Sequence, residues 1–183
     1  MGRKNSVGTA NGLPNGERAG GAAAGSGAPV PCHLLVMRTS AMGDVAMLPH
    51  ALRALTAAYP DLRVTVATQA MFSPFFAGLD VGFLDVDVKG AHHSLAGMWR
   101  LAAQARRLGV DAVADVHDVL RSKAFRLAMR LHGVPAAHID KGRAGKRAFI
   151  RCGGRGMEPL RHTVLRYCDV FRKLGFVLDD PAP

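Results

Sequence analysis

Two junctions in the sequence place acids, hydroxyls and a glycine where a ligand would meet them. The first is His33-Leu-Leu-Val-Met-Arg-Thr-Ser-Ala-Met-Gly-Asp-Val-Ala-Met-Leu-Pro-His50. Its apolar run, His33 to Met37, has the length of a buried parallel strand. A polar turn from Arg38 to Asp44 follows, and Leu48, Leu52, Leu55 and Tyr59 then recur at helical spacing up to Pro60. In an open α/β sheet such a junction lies at the carboxyl end of a strand, where ligands bind. Exposed N–H groups at a helix start favour an anion, and Gly43 permits a tight turn or close approach to a ligand. Asp44 has two readings, one as a cap or dipole partner of the helix and one as a group that acts on a ligand. A capping box would need Glu or Gln three residues after Thr39 or Ser40, where Met42 and Gly43 stand.

The second junction is Asp115-Val-His-Asp-Val-Leu-Arg-Ser122. Asp115, His117 and Asp118 are expected to face the same crevice as Asp44, with Asp118 itself as the helix N-cap. Arg121 and Lys123 are placed to hold an anionic group from the helix start. Lys141, Arg143, Lys146, Arg147 and Arg151 form the densest positive cluster, glycine-bearing and suited to phosphate contact, with Lys89 and Arg100 adding to that edge. Other chemistries lack their patterns. Gly43 alone is no G-x-G-x-x-G fingerprint, and the Walker pattern is missing. His92 and His93 have no Cys or acidic neighbour at ligand spacing and read as exposed loop histidines.

These junctions need elements to carry them, and the pattern alternates. Strands are expected at Arg63–Thr68, Gly82–Asp87, Asp111–Val116 and Ala136–Ile139, in addition to the first. Helices are expected at about Ser94–Leu108, with Gly109 as its stop, at a segment marked by Leu120, Ala124, Leu127 and Leu131, and at Arg161–Leu174. Ala70–Ala77 reads as a short helix or turn, and Lys141–Met157 as an exposed basic loop. The fold class is α/β, a Rossmann-like parallel sheet with helices on both faces and right-handed crossovers.

Residues 1–31 hold eight glycines and six alanines and little that is large and apolar, so disorder is expected there. The first 31 residues also lack the continuous apolar core of a secretory signal. One domain over residues 32–176 follows, and 177–183 reads as the start of a linker. Three cysteines at unrelated spacings, Cys32, Cys152 and Cys168, fit a reducing compartment better than a disulfide framework or a zinc site. No apolar run approaches the roughly 20 residues of a membrane span. Charge is uneven: residues 121–173 hold 14 Lys and Arg against 3 Asp and Glu, a net +11, while residues 32–120 carry 7 against 8, a net −1. The basic half suits nucleic acid, anionic lipid or a phosphorylated substrate, or is a solvated helix face. Aromatic interleaving typical of single-strand binders is lacking.

Taken together, Arg38-Thr-Ser-Ala-Met-Gly-Asp-Val-Ala-Met-Leu-Pro49, Leu52-Arg-Ala-Leu55, Tyr59-Pro60, Phe83-Leu-Asp-Val-Asp87, Asp111-Ala-Val-Ala-Asp-Val-His-Asp118 with Arg121-Ser122, and His162-Thr-Val-Leu-Arg-Tyr-Cys-Asp-Val-Phe171 resemble the family 9 glycosyltransferases, the ADP-heptose:lipopolysaccharide heptosyltransferases. The resemblance covers about residues 33–178. It implies the N-terminal, acceptor-binding half of a GT-B fold, with the C-terminal donor domain outside this chain. It further implies an inverting transfer of heptose from ADP-heptose to the phosphorylated lipid A–core acceptor, without a metal or other cofactor. Asp44 matches the catalytic acid–base position, Ser40 and Gly43 match positions lining that site, and Lys89, Arg121, Ser122 and Arg143 match acceptor contacts loosely. A cytoplasmic protein in peripheral contact with the inner membrane, with no specific nucleic acid partner, is the corresponding expectation. The alternatives are a glycosyltransferase using another nucleotide sugar and a non-catalytic basic module binding nucleic acid or anionic lipid.

Overall fold

The computed structural model describes residues 30–142, 147, 150, 151 and 161–180. Residues 1–29 of the expected glycine-rich segment 1–31, Arg143, Lys146, Cys152 and the last three residues lie outside this set. Five strands form one all-parallel sheet in the order β3-β2-β1-β4-β5. They are β1 (His33–Met37), β2 (Arg63–Thr68), β3 (Gly82–Asp85), β4 (Ala112–Asp115) and β5 (Ala136–His138). The helices whose bounds fall among the described residues are α1 (Met42–Ala58), α2 (Leu95–Arg107), α3 (Leu120–Leu131) and α4 (Thr163–Arg172), with a 3-10 segment at Ala70–Phe76.

β1 is buried along its whole length because helices cover both of its faces. Its side chains alternate between two cores, as a period of two requires. Leu34 and Val36 join Leu48, Leu52, Val66, Tyr167 and Phe171 under α1 and α4. Leu35 and Met37 join Met98, Leu101, Phe125 and Met129 under α2 and α3. The register is fixed by Leu34 opposite Val64 on one side and Ala112 on the other.

β2 matches the expected span, and β1 does too. Four expectations shift. β3 ends at Asp85 because Asp87 turns the chain, its carboxylate accepting from the N–H groups of Gly90 (2.8 Å), Ala91 (3.1 Å) and Lys89 (3.2 Å). Those bonds, Gly90 first, hold the Asp87 carboxyl below the usual range. His92 is buried instead of exposed, its Nδ1 accepting from the Asp87 N–H at 3.1 Å. On α3 the stripe Leu120, Leu127 and Leu131 faces outward, while Phe125, Ala128 and Met129 fill the core. Within the expected basic loop, Arg147, Ile150 and Arg151 are helical.

Candidate active site

β1 delivers Arg38, Thr39 and Ser40 to the carboxyl edge of the sheet, and β4 beside it delivers Val116, His117 and Asp118. α1 begins at Met42 with Ala41 as N-cap and no side-chain capping bond. Asp44 therefore sits in the first helical turn, and its carboxylate turns to Arg38 instead of capping. The Arg38 guanidinium is buried, pairing with the Asp44 carboxylate and donating to the carbonyl of Val116. The Asp44 side chain remains 44% exposed. A buried cation thus anchors an acid that still opens to solvent. Tyr167 of α4 supports both, its hydroxyl donating to the Asp44 carbonyl at 2.9 Å and its ring centroid lying 6.0 Å from the Arg38 guanidinium carbon.

His117 is buried between two hydroxyls, with Nδ1 3.0 Å from Thr39 Oγ1 and Nε2 3.1 Å from Ser40 Oγ. Burial first, then the charges of Arg38, Lys141 and Arg121, push its pKa down to about 4. At neutral pH the ring is uncharged, so one nitrogen donates and the other accepts.

The turn that carries His117 is held from below by Asp115. This carboxylate is fully buried, so it does not face the crevice as expected. It accepts the N–H groups of His117 (3.0 Å) and Asp118 (2.8 Å) and pairs with Arg126 at 2.7 Å. Asp118 takes a left-handed backbone, φ 46°, a conformation that Asp tolerates better than most residues. It is not the helix N-cap. Val119 is, and the Ser122 hydroxyl accepts from the Val119 N–H at 3.0 Å.

A cleft of about 590 Å³ opens over these groups. Ser40, Asp44 and His117 line it from the sheet edge, and Lys141, Arg161, His162 and Arg166 line it from the other side. Lys141 donates to the Asp118 carbonyl at 2.8 Å, Arg166 to the Asp140 carbonyl at 3.3 Å, and Arg161 makes two 2.8 Å bonds to Asp169. α4 also starts at the cleft, so two helix N-termini and a cationic wall favour an anion there. Among the described residues no group of three His, Cys, Asp or Glu is placed to hold a metal ion.

Of the residues singled out in the sequence, the structure brings Ser40 and Asp44 together at the cleft, with Gly43 exposed beside them. Gly43 has neither a left-handed backbone nor a close neighbour, and a Cβ there would meet nothing within 4 Å. Neither a turn nor packing needs glycine at this position, and the space above it is open. Lys89 is exposed on the Asp87 turn, away from the lining. Arg121 donates to the Val88 carbonyl at 3.0 Å, and Ser122 is buried at the start of α3. Arg143 lies outside the described residues. Arg38, Tyr167, Arg161, His162 and Arg166 carried no site signal of their own. Arg38 reads as the start of the polar turn and Tyr167 as part of an apolar helix face, and only the fold joins them to Asp44.

No family model matches the sequence, and no curated protein matches it. Solved structures do. A glycosyl transferase family 9 protein from Veillonella parvula aligns with a TM-score of 0.60 and 19% identity over 82% of this chain and 43% of its own. E. coli heptosyltransferase WaaC with ADP-2-deoxy-2-fluoro heptose aligns with a TM-score of 0.55 and 19% identity over 80% of this chain and 50% of its own. E. coli ADP-heptose lps heptosyltransferase II aligns at 0.50, with 19% identity over 76% and 40%. The chain spans at most half the length of these structures. At this identity the likeness is one of fold: the chain takes the Rossmann-like fold seen in one half of these GT-B structures.

Proposed function

We propose that the chain is the acceptor-binding half of an inverting glycosyltransferase that moves heptose from ADP-heptose to the lipopolysaccharide inner core, with Asp44 as general base. The observation that carries this reading is the Asp44 carboxylate, open to the cleft from the first turn of α1 while buried Arg38 fixes its position. Asp44 accepts the proton of an acceptor hydroxyl as that oxygen bonds to the anomeric carbon. The bond from that carbon to ADP breaks, ADP leaves with the electron pair, and the configuration inverts. Holding Asp44 by Arg38 and Tyr167 supplies orientation before the acceptor arrives. Ser40 offers a hydroxyl to the acceptor, and the open space over Gly43 lets it approach the helix start. Lys141, Arg161 and Arg166 suit an acceptor that carries phosphate. The ADP-sugar in the WaaC structure supports an ADP-sugar donor, to be held by a second half facing this cleft. A lipid A–core acceptor would set the working protein at the cytoplasmic face of the inner membrane.

The test supplies the chain with the donor-binding half of a heptosyltransferase and follows the acceptor mass. Heptose transfer is expected, and Asp44→Asn lowers turnover by about 10²–10⁴-fold with acceptor affinity retained. Full turnover in Asp44→Asn rejects the base. Transfer from another nucleotide sugar, with ADP-heptose idle, keeps the base and replaces the donor.

A further inference from the structure

The outer face of α2 and α3 presents large apolar side chains to solvent. On α3, Leu120, Leu127 and Leu131 are 73%, 54% and 66% exposed, and their spacing puts them on one side of the helix with Ala124 between them. On α2, Leu95 and Trp99 stand four residues apart and are 51% and 42% exposed. The two sets converge on the seam between the packed helices. Gly97 abuts the backbone of Ala91 and His92, and Arg100 donates to the Ala91 carbonyl at 3.1 Å, so that flank of α2 faces the loop before it. Leu95 and Trp99 occupy the opposite flank, toward α3. Arg121, next to Leu120 in sequence, donates to the Val88 carbonyl in the loop that leads into α2.

Charge decides the occupant. Neither helix contains Asp or Glu, and Arg100, Arg106, Arg107, Lys123 and Arg130 are exposed on them. A leucine strip with a tryptophan among cations matches the boundary between anionic headgroups and acyl chains. Two copies meeting through this face would oppose like charges. We propose that the α2–α3 face docks the protein on an anionic lipid bilayer, with Leu95, Trp99, Leu120, Leu127 and Leu131 entering the interface and the flanking cations on lipid phosphates. The proposal stands apart from the chemistry of Asp44. The Leu120 end of the strip lies at the sheet edge that bears the cleft, so docking leaves the cleft open beside the lipid surface.

Trp99 is the sole tryptophan, so its emission reports this face directly. The full chain is mixed with phosphatidylcholine vesicles with and without phosphatidylglycerol. With the anionic vesicles, Trp99 emission shifts to the blue, brominated acyl chains quench it, and added salt weakens the binding. Leu127→Glu with Leu131→Glu lowers partitioning about tenfold or more, at unchanged circular dichroism, since both sites are exposed. The proposal is overturned by vesicle binding that leaves Trp99 in water, by equal binding of the double variant, or by no binding. A blue shift that follows protein concentration without vesicles overturns it too, in favour of a second copy.

Discussion

The Tyr167 hydroxyl donates to the backbone carbonyl of Asp44 at 2.9 Å, joining α4 to the first turn of α1. Burial pushes the Tyr167 pKa up to about 12, with Arg38 opposing, so the phenol remains a donor at neutral pH. Tyr167→Phe removes the hydroxyl and keeps the ring. It is expected to cost about 1 kcal/mol in urea unfolding. A variant as stable as the parent would show that the bond adds nothing to α1–α4 packing.

His117 predicts a pH dependence of stability. Its imidazole titrates near 6.5 when unfolded, and burial lowers this to about 4 when folded. Between those values the unfolded chain binds the proton and the folded chain does not, so stability rises with pH. The contribution is complete above 6.5 and is lost as pH falls toward 4. After a discount for solvent at the ring, it amounts to about 2 kcal/mol. The stability gap between the parent and His117→Gln should narrow by that amount from pH 7 to pH 4, as read by urea unfolding. A constant gap would place the ring's titration elsewhere.

Arg126 is the sole ion-pair partner within 4 Å of fully buried Asp115 among the described residues. Arg126→Met leaves that carboxylate unpaired and is expected to cost about 3–5 kcal/mol. Adding Asp115→Asn recovers part of the loss, because the neutral amide oxygen still accepts from the His117 and Asp118 N–H groups. Equal melting of the single and double variants would contradict the assignment.

The sheet was legible because β1 and β2 are short runs rich in apolar and β-branched residues, whose burial on both faces needs no subtler signal. α3 was harder. It carries one apolar stripe at Leu120, Leu127 and Leu131 and a second at Phe125, Ala128 and Met129, and periodicity cannot rank two stripes on one helix. Asp118 reads as an N-cap from its type, yet a left-handed backbone and the Ser122 hydroxyl move the cap to Val119. Asp44 stood out as an acid at a helix start. Its partners did not, since Arg38 is the residue that follows an apolar strand and Tyr167 sits among inward-facing helix residues.

The parallel arrangement of β1 and β4 sets when these groups can meet during folding. Thr39 and Ser40 reach His117 across 78 and 77 residues of chain, and Asp44 reaches Tyr167 across 123. Contacts of such separation carry the loop-closure cost before any reward, which slows their formation. No local fragment of the chain can assemble the cleft in advance. The ordered cleft therefore requires β1, β4 and α4 to have been brought together from distant parts of the chain.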